Sequence, residues 1–116
     1  RTLEAGAHAA EGYLVEEVVR HITAHFAEPI SVAGLARRFN CSEGHLHRLF
    51  KKCTGQTPNA FLTRVRIQQA MHWIRETSLP INQVAQTVGY DDPFYFSRVF
   101  RKIAGMPPSE LRPKGA

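Results

Sequence analysis

The chain has 116 residues, enough for one ordinary domain or two very small ones, which excludes a large cleft-bearing enzyme. With 43% hydrophobic and 22% charged residues it holds enough apolar material for a core and is too weakly polar to stay disordered. Lys and Arg number 15 against 10 Asp and Glu, a formal charge of +5 with a pI near 9.7, so an anionic partner is the first expectation.

Residues 1–12, RTLEAGAHAAEG, lack a clear apolar period and read as a linker or disordered lead-in. Leu14, Val18, Val19, Ile22 and Phe26 then recur at helical spacing, which predicts a first helix over about 13–26, stopping before Pro29. Ser31 is placed to cap a short second helix whose Val32, Leu35, Ala36 and Phe39 share one face. After a break at Asn40 and Cys41, Ser42 caps a third helix from Glu43 to about Cys53. Leu46, Leu49, Phe50 and Cys53 form its inner stripe, and Gly55 closes it.

Thr57 followed by Pro58 is a helix start, and the longest helix runs from Pro58 to about Glu76. Phe61, Leu62, Val65, Ala70, Trp73 and Ile74 are its expected buried positions, and at 1.5 Å per residue it spans about 28 Å. A short helix follows from Pro80 to Thr87, with Ile81, Val84, Ala85 and Val88 inward and Gly89 breaking it. Asp92 caps a further helix from Pro93 to about Ile103, with Phe96, Val99, Phe100 and Ile103 inward. Gly105 closes that helix, and Pro107 to about Leu111 forms a last turn before a frayed tail, RPKGA. The expectation is an all-α fold of about seven helices. Its divisions are a first helix-turn-helix subdomain over 13–56, a linking helix over 57–76, a second subdomain over 77–112 and a tail over 113–116.

The second half repeats the first. Leu35, Ala36 and Phe39 return as Val84, Ala85 and Val88 at an offset of 49 residues; Leu46, Arg48, Phe50, Gly55 and Pro58 return as Phe96, Arg98, Phe100, Gly105 and Pro108 at an offset of 50. One residue is therefore added in the second inter-helix turn. Two small helical units follow from this more readily than one irregular bundle. Each has a short helix, a tight break and a second helix with one apolar and one polar face, the layout in which the second helix enters a major groove about 12 Å wide. Charge is concentrated accordingly. Residues 1–29 have a net charge of −3, residues 30–76 of +6 and residues 77–116 of +2.

The passages LARRFNCSEGHLHRLFKKCTGQTPNAFL and VAQTVGYDDPFYFSRVFRKIAGMPPSELR resemble the paired helix-turn-helix units of the AraC/XylS family of bacterial transcriptional regulators. The second is the more diagnostic, through Val84-Ala85, Gly89-Tyr90, Phe96-Ser97-Arg98, Phe100, Gly105, Pro108 and Arg112; with Arg66 and Ala70 the match extends over about residues 14–112. The resemblance implies a seven-helix domain that recognises asymmetric double-stranded promoter DNA from one chain, its two reader helices in successive major-groove segments about 34–36 Å apart. It favours activation through RNA polymerase contact, with repression left open. The family's usual effector or dimerisation domain is expected upstream, since the chain starts at Arg1 without an initiator Met and is too short to hold one.

In the first reader helix Arg48 is the main base-contact candidate, because its planar fork can donate two bonds to guanine, with simple solvation as the alternative. His47 is a candidate for a base edge or a phosphate. Gly44 stands where related domains commonly carry a reading side chain, so this sequence departs from the pattern there. In the second reader the family-aligned candidates are Pro93, Phe94, Ser97 and Arg98; Phe94 can pack on a thymine methyl or against the preceding turn. Lys51, Lys52, Arg101 and Lys102 are phosphate candidates, with a solvated charged face as the alternative. Asp91 and Asp92 place negative charge near the second reader, and Asp92 has a structural explanation as a cap.

Other chemistries are poorly supported. His21 and His25, and His45 and His47, form pairs without a third and fourth ligand at a recognisable spacing, so no metal or other cofactor is expected. Cys41 and Cys53 lack a CxxC spacing and are too few for a secreted disulfide scaffold, which favours the cytoplasm. Phosphate-cradle, zinc-protease and nucleophile-elbow motifs are missing, so the chain is not expected to be an enzyme. Neither a signal peptide nor a membrane span is indicated. The competing function is a helical protein-interaction or dimerisation module presenting Ile67, Met71 and Trp73 to a partner.

Overall fold

The computed structural model describes the backbone of residues 2–113 and the side chains of residues 10–113. Within them the chain is all α: α1 (Thr2–His25), α2 (Val32–Arg38), α3 (Glu43–Thr54), α4 (Pro58–Glu76), α5 (Ile81–Thr87), α6 (Pro93–Ala104) and α7 (Pro108–Leu111). The tail expectation lies outside the described residues beyond Pro113. α1 departs from its expected start, because its backbone is already helical from Thr2. Apolar periodicity locates only the buried part of a helix. The alanines at 5, 7, 9 and 10 favour helix through propensity without forming a stripe.

The chain forms two compact units whose division falls inside α4, with Leu62 in the first and Thr63 in the second. In the first unit α3 packs against α1 and α2. Val15, Val18, Ile22, Leu35, Ala36, Leu46, Leu49, Phe50 and Leu62 are buried, and Phe50 meets Phe61 edge-on at 5.5 Å. Val15, outside the expected stripe, is buried, while Leu14 and Val19 flank it half-buried. Cys53 is exposed rather than inward, since it falls in the last turn, past the stripe's contact with the core.

The second unit takes in Phe26–Pro29 as well as the chain from Thr63. Its core is Ile67, Ala70, Ile74, Val84, Ala85, Val88, Tyr90, Phe96 and Phe100, with Met71, Trp73 and Leu111 packed against it. Ile67 is wholly buried, so the apolar residues that an interaction surface on α4 would need are already spent on this core. Ile103, expected inward, is 38% exposed; like Cys53, to which it corresponds at the 50-residue offset, it lies one turn beyond the last core aromatic.

Both units make their inter-helix turn alike. Asn40 and Gly89 take positive φ, 55° and 107°, and the next residues bond back to the short helix, Cys41 N–H to the Ala36 carbonyl at 3.0 Å and Tyr90 N–H to the Ala85 carbonyl at 2.8 Å. These equivalences keep the 49-residue offset, whereas the caps Ser42 and Asp92 are already 50 apart. Asp91 is therefore the added residue, and it is exposed. Ser31 Oγ accepts from Gly34 N–H at 3.0 Å, Ser42 Oγ from His45 N–H at 3.1 Å and Thr57 Oγ1 from Ala60 N–H at 3.1 Å, so orphan donors at these three helix starts are satisfied. Asp92 Oδ1 accepts from Phe94 N–H at 2.9 Å. Both second helices end in a left-handed glycine, Gly55 and Gly105, whose N–H bonds to the Lys51 or Arg101 carbonyl. Ser42→Ala is expected to cost about 1 kcal/mol of stability, read from the urea midpoint, since it strips the cap from α3 without disturbing the core.

Candidate nucleic-acid interface

α3 is anchored by Leu46, Leu49 and Phe50, which fixes what its opposite face presents. Gly44, His47, Arg48, Lys51 and Lys52 are all exposed. A β-carbon at Gly44 would lie 3.3 Å from Arg48 Nη1, a tight contact that the exposed, flexible Arg48 side chain relieves by shifting a few tenths of an ångström. Gly44 has no side chain with which to read a base. Lys52 Nζ lies 3.8 Å from Glu11 Oε1 on α1 and keeps 65% of its side chain exposed. Such a surface pair contributes about 0–1 kcal/mol, too little to withhold Lys52 from a phosphate. Among the described residues no carboxylate pairs with Arg48 or Lys51.

α6 is anchored by Phe96 and Phe100, whose rings lie 5.7 Å apart. Pro93, Phe94, Arg98, Arg101 and Lys102 are exposed and Ser97 is half-buried. Phe94, at 77% exposure, does not pack against the preceding turn, which removes that alternative for it. The cap explains the position: Asp92 fixes the first turn through the Phe94 N–H, and Pro93 fixes φ beside it. Tyr95, absent from the sequence-based candidates, is half-exposed; its ring lies 6.0 Å from Tyr90 and supports the Arg98 guanidinium at 5.8 Å. Its spacing alone gave no signal, because Tyr95 lies beside the core stripe rather than on either face.

Arg66 was legible only through the family resemblance, and the structure gives it a task inside the second unit. From α4 its Nε donates to the Phe26 carbonyl at 2.6 Å, its Nη2 to the Glu28 carbonyl at 2.9 Å, and its guanidinium lies 5.2 Å from the Tyr90 ring centroid. Gly89 makes this possible. A β-carbon there would stand 3.0 Å from Arg66 Cζ and 3.1 Å from the Ala27 carbonyl oxygen, at a φ that side chains avoid. Burial pushes the Tyr90 phenol above its ordinary 10.0, while Arg66 pulls the other way, so the ring stays neutral where it meets Phe96 at 5.5 Å. Arg66 thereby steadies the turn that leads into α6.

His21 and His25 stack at 4.6 Å, but among the described residues no group of three or more His, Cys, Asp or Glu could hold a metal ion. Nor, among these residues, is any helix long and apolar enough to cross a membrane.

Two helix-turn-helix units, each with an anchored second helix presenting cations outward, define a DNA-binding domain. Comparison with known proteins identifies which one. A family model for a helix-turn-helix domain matches residues 35–114. Over 88 residues the chain is 39% identical to the HTH-type transcriptional activator RhaS of Escherichia fergusonii, an alignment covering 76% of this chain and 32% of that protein. It is 34% identical over 98 residues to the lactose operon transcription activator of Staphylococcus xylosus, covering 84% and 35%. The chain thus spans about a third of the length of these relatives. Among solved structures, the C-terminal domain of AraT, a response regulator from Geobacillus stearothermophilus, superposes with a TM-score of 0.83 at 32% identity, covering 85% of this chain and 83% of that one. The chain belongs to the AraC/XylS family of helix-turn-helix regulators. It is a double-stranded-DNA-binding domain and not an enzyme.

Proposed function

We propose that α3 and α6 read successive major-groove segments of one promoter duplex, and that the parent protein activates transcription, with RNA polymerase as its contact. The observation that carries this reading is the repeated placement of an exposed arginine, Arg48 and Arg98, on the outward face of each anchored second helix. Arg48 and His47 read bases from α3, and Gly44 at its first turn lets the helix approach the base edges closely. Ser97 and Arg98, with Pro93 and Phe94 at the helix start, face the bases from α6. Lys51, Lys52, Arg101 and Lys102 hold phosphates. Activation is supported by the names of the two relatives. An effector or dimerisation domain upstream of this one, in a cytoplasmic regulator that associates with the nucleoid when bound to DNA, completes the reading.

Selection of binding sites from randomised duplex DNA, repeated with Arg98→Ala, tests the two-segment mode. The wild type is expected to recover two conserved blocks about one helical turn apart, and Arg98→Ala to relax one of them; a single block unaffected by the substitution overturns it. Lys51→Ala is expected to weaken cognate and random duplexes equally and to lower the slope of log affinity against log salt by about 1. Titration between low and moderate salt reads both effects. Transcription from a promoter carrying the selected site, with and without the parent regulator, separates activation from repression.

A further inference from the structure

The two reader helices do not offer the same chemistry. At equivalent positions of their first turns α3 exposes Glu43 and Gly44, whereas α6 exposes Pro93 and Phe94, neither of which has a side-chain hydrogen-bonding group. Phe94 is 77% exposed, while the neighbouring Phe96 and Phe100 are wholly buried, so the core does not account for it. Tyr95 is engaged with Tyr90 and Arg98; among the described residues no ring or guanidinium stacks on Phe94. The backbone that carries the ring is fixed by the Asp92 cap and Pro93, and the same helix carries Arg98, Arg101 and Lys102. An apolar group on a cationic helix fits an apolar group on a polyanion. In the major groove that group is the 5-methyl of a pyrimidine, the one apolar feature of a base edge.

We infer that Phe94 is a specificity-determining residue that recognises a pyrimidine 5-methyl group in the major groove, so that the second unit adds an apolar contact to the polar ones of Ser97 and Arg98. The inference rests on α6 entering a major groove. Thymine supplies such a methyl in any duplex and 5-methylcytosine supplies it in modified DNA.

The test uses the selected duplex, with each thymine in the α6 segment replaced singly by uracil, which removes only the methyl. At one position the wild type is expected to lose about fourfold in affinity, the equivalent of about 0.8 kcal/mol for one buried methyl-sized group. Phe94→Ala is expected to bind the thymine and uracil duplexes equally, and Phe94→Leu, which keeps an apolar side chain, to retain part of the preference. Cytosine and 5-methylcytosine at the same position distinguish the sources: a gain on methylation assigns the contact to any 5-methylpyrimidine, and a gain with thymine alone assigns it to thymine. A wild type indifferent to uracil throughout the segment overturns the inference. So does Phe94→Ala that keeps both its affinity and the thymine preference, the result expected of a ring reserved for a protein partner. A wild type with no affinity for duplex DNA overturns the proposed function itself.

Discussion

Arg48→Ala is expected to lower affinity for the cognate duplex by about five- to 150-fold while changing affinity for random DNA far less, measured by fluorescence anisotropy at one fixed salt concentration. The range follows from the 1–3 kcal/mol of discrimination that a bidentate arginine–guanine pair supplies. Three structural facts put Arg48 at that end of the contact list. It is exposed on the face opposite Leu46, Leu49 and Phe50, it lacks a carboxylate partner among the described residues, and its Nη1 passes beside Gly44, where a β-carbon would lie 3.3 Å away. Arg48→Lys divides charge from geometry. A lysine retains the attraction to the duplex but has no planar fork, so it should recover random binding and leave most of the cognate loss in place. Equal losses on cognate and random DNA would instead assign Arg48 to the phosphates.

Most of the helical framework could be read from local signals because each boundary has a local cause. Ser42 accepts from His45 N–H as a cap, Gly55 and Gly105 end their helices with positive φ, and Pro58 opens α4. The repeat was legible too, down to one added residue, since a duplicated structure keeps its core spacing; only the bonding pattern of Cys41 and Tyr90 identifies the addition as Asp91. What periodicity missed are features with non-local causes. The burial of Ile67 depends on α5 and α6 packing over α4, residues distant in sequence. The bonds from Arg66 to Phe26 and Glu28 join positions some 40 residues apart, which no local pattern around Arg66 announces. At the reader helices, spacing separates inward from outward but cannot tell an outward phenylalanine from a locally packed one. For Phe94 that distinction required coordinates.

The second large effect is on stability. Phe100→Ala is expected to destabilise the domain by about 3–5 kcal/mol, measured as a fall in the urea midpoint. Phe100 is wholly buried, lies 5.7 Å from Phe96 and belongs to a core drawn from α4, α5 and α6 together with Tyr90. Truncating it leaves a void whose lining consists largely of rigid aromatic and β-branched side chains, which refill space poorly. Such a loss is a large share of the 5–15 kcal/mol that usually holds a small domain together. Because the buried residues of the first unit form their own set around Phe50, the damage should be local at first. Hydrogen exchange should therefore show α5, α6 and α7 losing protection at lower denaturant than α2 and α3, which pack without Phe100. Uniform loss of protection across both units would mean that α4, shared by the two, transmits the defect and that the cores unfold as one. In either case DNA affinity measured well below the midpoint should stay near wild type, since Phe100 points away from the face that carries Arg98 and Arg101, and this separates a folding defect from a recognition defect.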